Sequence, residues 1–152
     1  MKLSSVLKVD PNTIRTRSFT MAGQTLKVRV PLASEMELMN ERVNNAEFEA
    51  MYQKMAGPLL ENKDAVTGET ITFDGDDILV DGKSLKNMAK QAAQTNARIL
   101  EMFKLLVPAV DFDMSQLTYE MIEEEYPFSI QLDISKKIAE VISPGFEEAR
   151  KN

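Results

Sequence analysis

The 152-residue chain contains no cysteine, no histidine and no tryptophan. Without thiols and imidazoles there is no disulfide, no thiolate nucleophile, no imidazole base and no ordinary zinc or copper site. Any catalysis would fall to carboxylates, lysines and hydroxyls. The lack of cysteine also fits a reducing cytoplasm. Positive charge is scarce: 18 Lys and Arg stand against 24 Asp and Glu, a net charge of -6. No run of lysines and arginines offsets this, so most of the surface should repel phosphate backbones and no nucleic-acid partner is expected. Long apolar runs are missing as well. The opening MKLSSVLKVDP offers only Leu3 and Val6-Leu7, too little for a signal peptide. No stretch approaches the ~20 apolar residues of a membrane span. The expectation is a soluble cytosolic protein with no membrane partner.

What is present describes a globular, mainly α chain. Hydrophobic residues make up 43% and charged residues 28%, and one domain of this length, residues 1–152, is expected to fold around one core. The organising element is the stretch from Lys83 to Pro108. Leu85, Met88, Ala89, Ala92, Ile99, Phe103 and Leu106 recur there at three- and four-residue intervals, with Asn96 the polar exception. That is the period of one helical face meeting a core. Ser84 can cap the start and Pro108 forbids continuation, which predicts a long central helix of roughly 35 Å. The ten methionines are adaptable side chains, suited to filling a helical core or to lining a surface that repacks against different partners.

Before that helix, residues 1–14 lead in as an extended or short helical segment, with a turn at Asp10-Pro11-Asn12. Residues 15–31 alternate apolar and polar side chains on both sides of Ala22-Gly23-Gln24, with Leu26, Val28 and Val30 on one face. This predicts a β-hairpin ended by Pro31. Ser34 and Glu37 form a capping box for a following helix whose stripe is Met36, Met39, Val43, Ala46, Ala50 and Met51, with Glu35 facing water. Asn44-Asn45 divides that helix, and Gly57-Pro58 stops its second half, with Leu59 and Leu60 tucked back onto the core. Residues 61–83 turn polar and rich in Asp, Thr and Gly. Within them Thr70–Phe73 and Ile78–Val80 can pair as a short β-ribbon. After Pro108, Thr118 caps a short acidic helix, Tyr119 to Glu125. Residues 128–134 fit a strand and a helix alike, but Ile130, Ile134, Ile138, Val141 and Ile142 extend the helical reading. Residues 146–152 form a polar tail. The fold class is therefore mainly α: a small helical domain with an N-terminal β-hairpin and a short β-ribbon before the long central helix.

Recognisable chemistry is sparse. The cluster Asp74, Asp76, Asp77, Asp81 suggests a calcium loop, yet the position calling for glycine holds Leu79 and the one calling for glutamate holds Leu85. A solvated loop is the simpler reading. Gly82-Lys83-Ser84 looks like the tail of a phosphate-binding loop, but Asp77 occupies the place of its upstream glycine. Any chain with this many acids can hold an acid and base pair, and a carboxylate-dependent hydrolase is the remote alternative. Glu123-Glu124-Glu125 reads more simply as an exposed helix face. No catalytic, metal-ligating or cofactor-binding residue stands out, and no cofactor is implied. What remains is surface. The residues expected to meet a partner or another copy are Leu26 and Val28 on the hairpin, Tyr126, Phe128 and Phe146.

Three stretches together resemble the tail assembly chaperones of long-tailed bacteriophages, the family that includes those of the lambdoid phages. They are Leu26 to Glu35 (LKVRVPLASE); Val80 to Leu85 (VDGKSL) leading to Phe103 to Pro108 (FKLLVP); and Leu117 to Glu120 (LTYE) through Tyr126 to Ser129 (YPFS) to Ile138 to Pro144 (IAEVISP). The likeness covers most of residues 20–152 and is weakest over 61–77. It implies a non-catalytic chaperone of the host cell cytoplasm, absent from the mature virion. Such a protein would coat the tape-measure protein, recruit major tail (tube) protein subunits through a frameshifted longer form, and self-assemble into a homo-oligomer. Arg150-Lys151-Asn152 is compatible with an adenine-rich slippery codon pair. A small acidic adaptor of other phage or host origin is the alternative.

Overall fold

The computed structural model describes residues 1–68 and 70–143. The architecture is mainly α, with an N-terminal β-hairpin, a small β-ribbon and a long central helix. The helices are α1 (Leu3–Leu7), α2 (Pro11–Ile14), α3 (Ala33–Asn44), α4 (Glu49–Glu61), α5 (Lys63–Val66), α6 (Leu85–Phe103), α7 (Tyr119–Glu123) and α8 (Phe128–Ile142). Strands β1 (Thr16–Met21) and β2 (Gln24–Arg29) form one antiparallel sheet. Strands β3 (Ile71–Asp74), β4 (Asp77–Val80) and β5 (Lys83–Ser84) form another, in that order. Instead of one core, two clusters of buried apolar side chains form, and the chain packs as two compact units, residues 1–39 with 99–152 and residues 40–98.

In the first unit the hairpin pairs Thr16 with Arg29 through Met21 with Gln24. Its two-residue turn has Ala22 at φ 52 and Gly23 at φ 77, the double left-handed geometry that matches the twist of the flanking strands. Val28 points into a cluster with Met39, Ile99, Phe103, Leu105, Ile122, Ile134 and Ile138. Ile134 and Ile138 lie one helical turn apart on α8, so the helical reading of 128–134 is the correct one: it puts three isoleucines, counting Ile130, on one face. Thr118 accepts the Met121 N–H at 3.3 Å and starts α7. Pro127 is the N-cap of α8 rather than its first helical residue.

Several local expectations are corrected. Asp10-Pro11-Asn12 starts a helix: the Asp10 carboxylate accepts the Asn12 N–H at 2.9 Å and Pro11 takes the first helical position. Helix α3 begins at Ala33, and Glu35 rather than Glu37 reaches back, accepting the Leu32 N–H at 3.1 Å. In the second unit α4 continues through Pro58 to Glu61. The carbonyl that Pro58 leaves without a helical donor belongs to exposed Lys54, where water can serve it. Leu59 packs on the second cluster, whereas Leu60 is exposed. That cluster is built from Tyr52, Ala56, Ile78, Leu85 and Ala89, with the ribbon's Ile71, Phe73 and Val80 packed against it. Methionines mostly fill core: Met39 is buried, and Met21, Met36 and Met102 flank the first cluster as Met51, Met55 and Met88 flank the second. Among the described residues no helix is long and apolar enough to cross a membrane.

Candidate interaction surfaces

The acidic ribbon is a structural device. Asp77 at the start of β4 accepts the Ile78 N–H at 2.7 Å and the Lys86 N–H at 3.1 Å on one oxygen, and the Ser84 hydroxyl on the other. It thereby closes the first turn of α6, a role the sequence reading gave to Ser84 alone. Burial pushes the Asp77 carboxyl up, but the Ser84 hydroxyl, the two N–H groups and the Lys86 charge together outweigh it and hold the pKa below the ordinary value. Asp76 binds the Lys86 ammonium at 2.6 Å, and that ammonium lies 5.6 Å from the centre of the Tyr52 ring, whose hydroxyl donates to the Asp76 carbonyl at 3.1 Å. Among the described residues no group of three or more acids is placed to hold a metal ion.

A second polar centre, in the other unit, escaped the sequence reading. Glu35, expected to face water, receives Arg15 Nη2 at 2.6 Å on one oxygen and Arg29 Nη1 at 2.7 Å on the other. Arg29 first, with the Leu32 N–H and Arg15, overcomes the opposing effect of burial and holds its pKa at about 2. The three residues lie on the lead into β1, on β2 and on α3, so the pairs tie the hairpin to the helix that follows it. Nothing in a single pass along the sequence links positions 15, 29 and 35. Glu101 is a buried carboxylate, 4% exposed, with Lys104 Nζ at 3.5 Å; its signal was the i,i+3 spacing of the two charges. Glu35, Asp76, Asp77 and Asp113 are all shifted downward, opposite to the direction that prepares a carboxyl to donate a proton.

The five residues expected to meet a partner fare differently. Val28 is fully buried and cannot touch one, because the face it shares with Leu26 is covered by the first unit's own core. Leu26 is half-buried. The outer edge of β2 is also occupied: the Arg29 N–H donates to the Leu105 carbonyl at 2.8 Å and the Val107 N–H to the Lys27 carbonyl at 2.9 Å. An added strand would therefore have to use β1, whose Thr16, Ser18 and Thr20 backbone groups point away from β2 by the alternation of the ladder. Tyr126 and Phe128 are 40% and 50% exposed, and Phe146 lies outside the described residues.

Tyr126 and Phe128 stand at the corner between α7 and α8, which is locked from within. Gln131, 1% exposed, donates to the Tyr126 carbonyl at 2.7 Å and accepts the Tyr119 hydroxyl at 2.8 Å. The Tyr126 ring meets Phe103 with centroids 6.1 Å apart. Leu132, four residues beyond Phe128 and so on the same side of α8, is exposed, as is Met121 on α7. Around them stand exposed Glu120, Glu123, Glu124, Glu125 and Asp133. A further apolar surface went unread in the sequence: Leu3, Val6 and Leu7 make one stripe on α1, and all three face water.

Compared with models of known protein families, with curated proteins and with solved structures, the chain matches none.

Proposed function

We propose that this protein is a non-catalytic tail assembly chaperone of a long-tailed phage. In that role it covers the apolar helical stripes of the tape-measure protein in the host cytoplasm, helps to recruit tube subunits through a frameshifted longer form, associates with its own copies, and is left out of the finished virion. The observation that carries the reading is the number of large apolar side chains left uncovered in the first unit, among them Leu3, Leu7, Val110, Phe112, Phe128 and Leu132. Where such side chains lie together, as Phe128 and Leu132 do one turn apart on α8, they form the kind of apolar surface that a protein partner covers. The sequence likeness over residues 20–152 selects the kind of partner. Asp76, Asp77 and Glu35 are each engaged in holding the fold. Co-expression with the tape-measure protein of the same genome tests the reading: its soluble fraction should rise several-fold with this chain present. An unchanged fraction would overturn the proposal.

A further inference from the structure

Two surfaces of the first unit, helix α1 and the α7–α8 corner, are complementary. Helix α1 has no buried side chain, and its stripe of Leu3, Val6 and Leu7 is 68%, 57% and 59% exposed. Lys2 and Lys8 bracket that stripe, and residues 1–9 include no acid. A five-residue helix does not persist in water by itself, so an arm of this kind takes its stability from a surface it lies on. The α7–α8 corner is net acidic: Met121, Tyr126, Phe128 and Leu132 are exposed among Glu120, Glu123, Glu124, Glu125 and Asp133, with exposed Lys136 one turn beyond Leu132. Both surfaces stay open in one molecule, so the arm does not sit on its own corner.

We infer that residues 1–9 of one copy dock on the α7–α8 corner of the next, with Leu3, Val6 and Leu7 against Phe128 and Leu132 and the two lysines facing the glutamates. This deepens the self-association part of the proposed function and rests on it. Because arm and corner are different patches, the contact is head-to-tail and each copy offers one of each, so it propagates into a ring or an open spiral rather than stopping at a dimer. A handful of apolar side chains covers less than the ~1,000 Å² of a stable interface. A single contact is therefore weak, and assembly depends on concentration and on salt.

The test uses two variants of the full protein in light scattering and analytical ultracentrifugation up to about 1 mM, a range that captures contacts of millimolar strength. One carries Leu3→Glu and Leu7→Glu and keeps an intact corner. The other carries Phe128→Ser and Leu132→Ser and keeps an intact arm. All four positions are exposed, and circular dichroism verifies that both variants fold. The parent should assemble beyond a dimer, each variant alone should be monomeric, and their mixture should stop at a one-to-one complex. Lys2→Glu with Lys8→Glu should weaken assembly about tenfold at low salt and by less at high salt. The idea is overturned by a monomeric parent, by variants that assemble like the parent, or by a mixture that stays monomeric. A monomeric parent whose solubilisation of the tape-measure protein is lost in the Phe128→Ser, Leu132→Ser variant would assign the corner to a foreign helix instead. Solubilisation by the co-expressed parent is read separately, so failure of the arm contact leaves the chaperone reading standing or falling on its own measurement.

Discussion

The two compact units differ in what they leave uncovered. Among the described residues every large apolar side chain that stays exposed, Leu60 apart, belongs to the unit of residues 1–39 and 99–152. The unit of residues 40–98 instead presents a ribbon in which two of the four aspartates are engaged within the unit: Asp77 by three donors and Asp76 by Lys86. Uncovered apolar surface costs solubility, whereas exposed carboxylates do not. Under the proposed function, partner contacts would fall on the first unit.

If that is right, stability and binding in the first unit reside in different residues. Ile138, fully buried in its cluster, should lose about 2–5 kcal/mol on Ile138→Ala through lost burial and an unfilled cavity. Denaturant unfolding would show it, with amide protection falling first in α8 and the hairpin. Half-exposed Phe128, ten residues earlier on the same helix, should lose only about 1 kcal/mol on Phe128→Ser. A large loss there would mean that the exposed apolar residues serve the fold, and the contrast between the units would lose its meaning.

The next largest effect concerns the lock beneath the corner. Gln131→Leu keeps an apolar volume but leaves the Tyr126 carbonyl and the Tyr119 hydroxyl without the partners they hold at 2.7 and 2.8 Å. Stranding such groups costs about 1–3 kcal/mol. The expected consequence reaches function as well, since Tyr126 and Phe128 would no longer be held at one corner. Unchanged stability would show that water reaches both groups and that the lock is not closed.

Glu35 gives the first unit an acid-sensitive joint. Its pKa in the folded chain, about 2 against an ordinary 4.5, is depressed, so its contribution is complete above about pH 4.5 and fades as pH falls toward 2. The group is 32% exposed, and after allowance for solvent screening about 1–2 kcal/mol is expected. Glu35→Gln should lower stability by that amount at pH 7, and the two proteins should converge on acidification. Parallel stability curves from pH 7 to 2 would show that the carboxylate is not coupled to Arg15 and Arg29.

How much of this was readable beforehand follows from the range of the forces involved. The hairpin, the long helix and α8 announced themselves through apolar periodicity, because the spacing of Leu26 and Val28, or of Ile130, Ile134 and Ile138, is set by one element's own geometry. What went unread depends on a second element. Alternation shows that Val28 shares a face with Leu26 but not that α8 covers that face, nor that residues 105–107 close the edge of β2. The Glu35 centre needs three segments brought together. Pro58 is punctuation in sequence, but it is tolerated where packing of Tyr52, Ala56 and Leu59 outweighs one missing backbone donor. Of the candidate contacts, the exposed Tyr126 and Phe128 were legible as aromatics flanking a proline. The α1 stripe gives little signal in sequence, because three apolar residues are too few for a targeting segment.

The smallest effect compares the units most directly, because each contains the same turn. Ala22-Gly23 joins β1 to β2 with φ 52 and 77, and Asp81-Gly82 joins β4 to β5 with φ 52 and 78. Matched geometry with different first residues isolates the side chain. At left-handed φ a Cβ crowds the backbone, and Asp offsets part of that cost through short-range hydrogen bonding that Ala lacks. Ala22→Asp should therefore stabilise the hairpin by about 0.5–1 kcal/mol and Asp81→Ala should destabilise the ribbon by a similar amount. The turns share no partner, so the double exchange should return the protein close to its starting stability, within about 0.5 kcal/mol. Thermal unfolding of the three variants measures this cycle. A gain at position 22 without the matching loss at 81 would show that the ribbon is held by the Asp77 network rather than by its turns, drawing the line between the units more sharply; equal and opposite shifts would show that both hairpins obey the same local rule and differ only in what covers them.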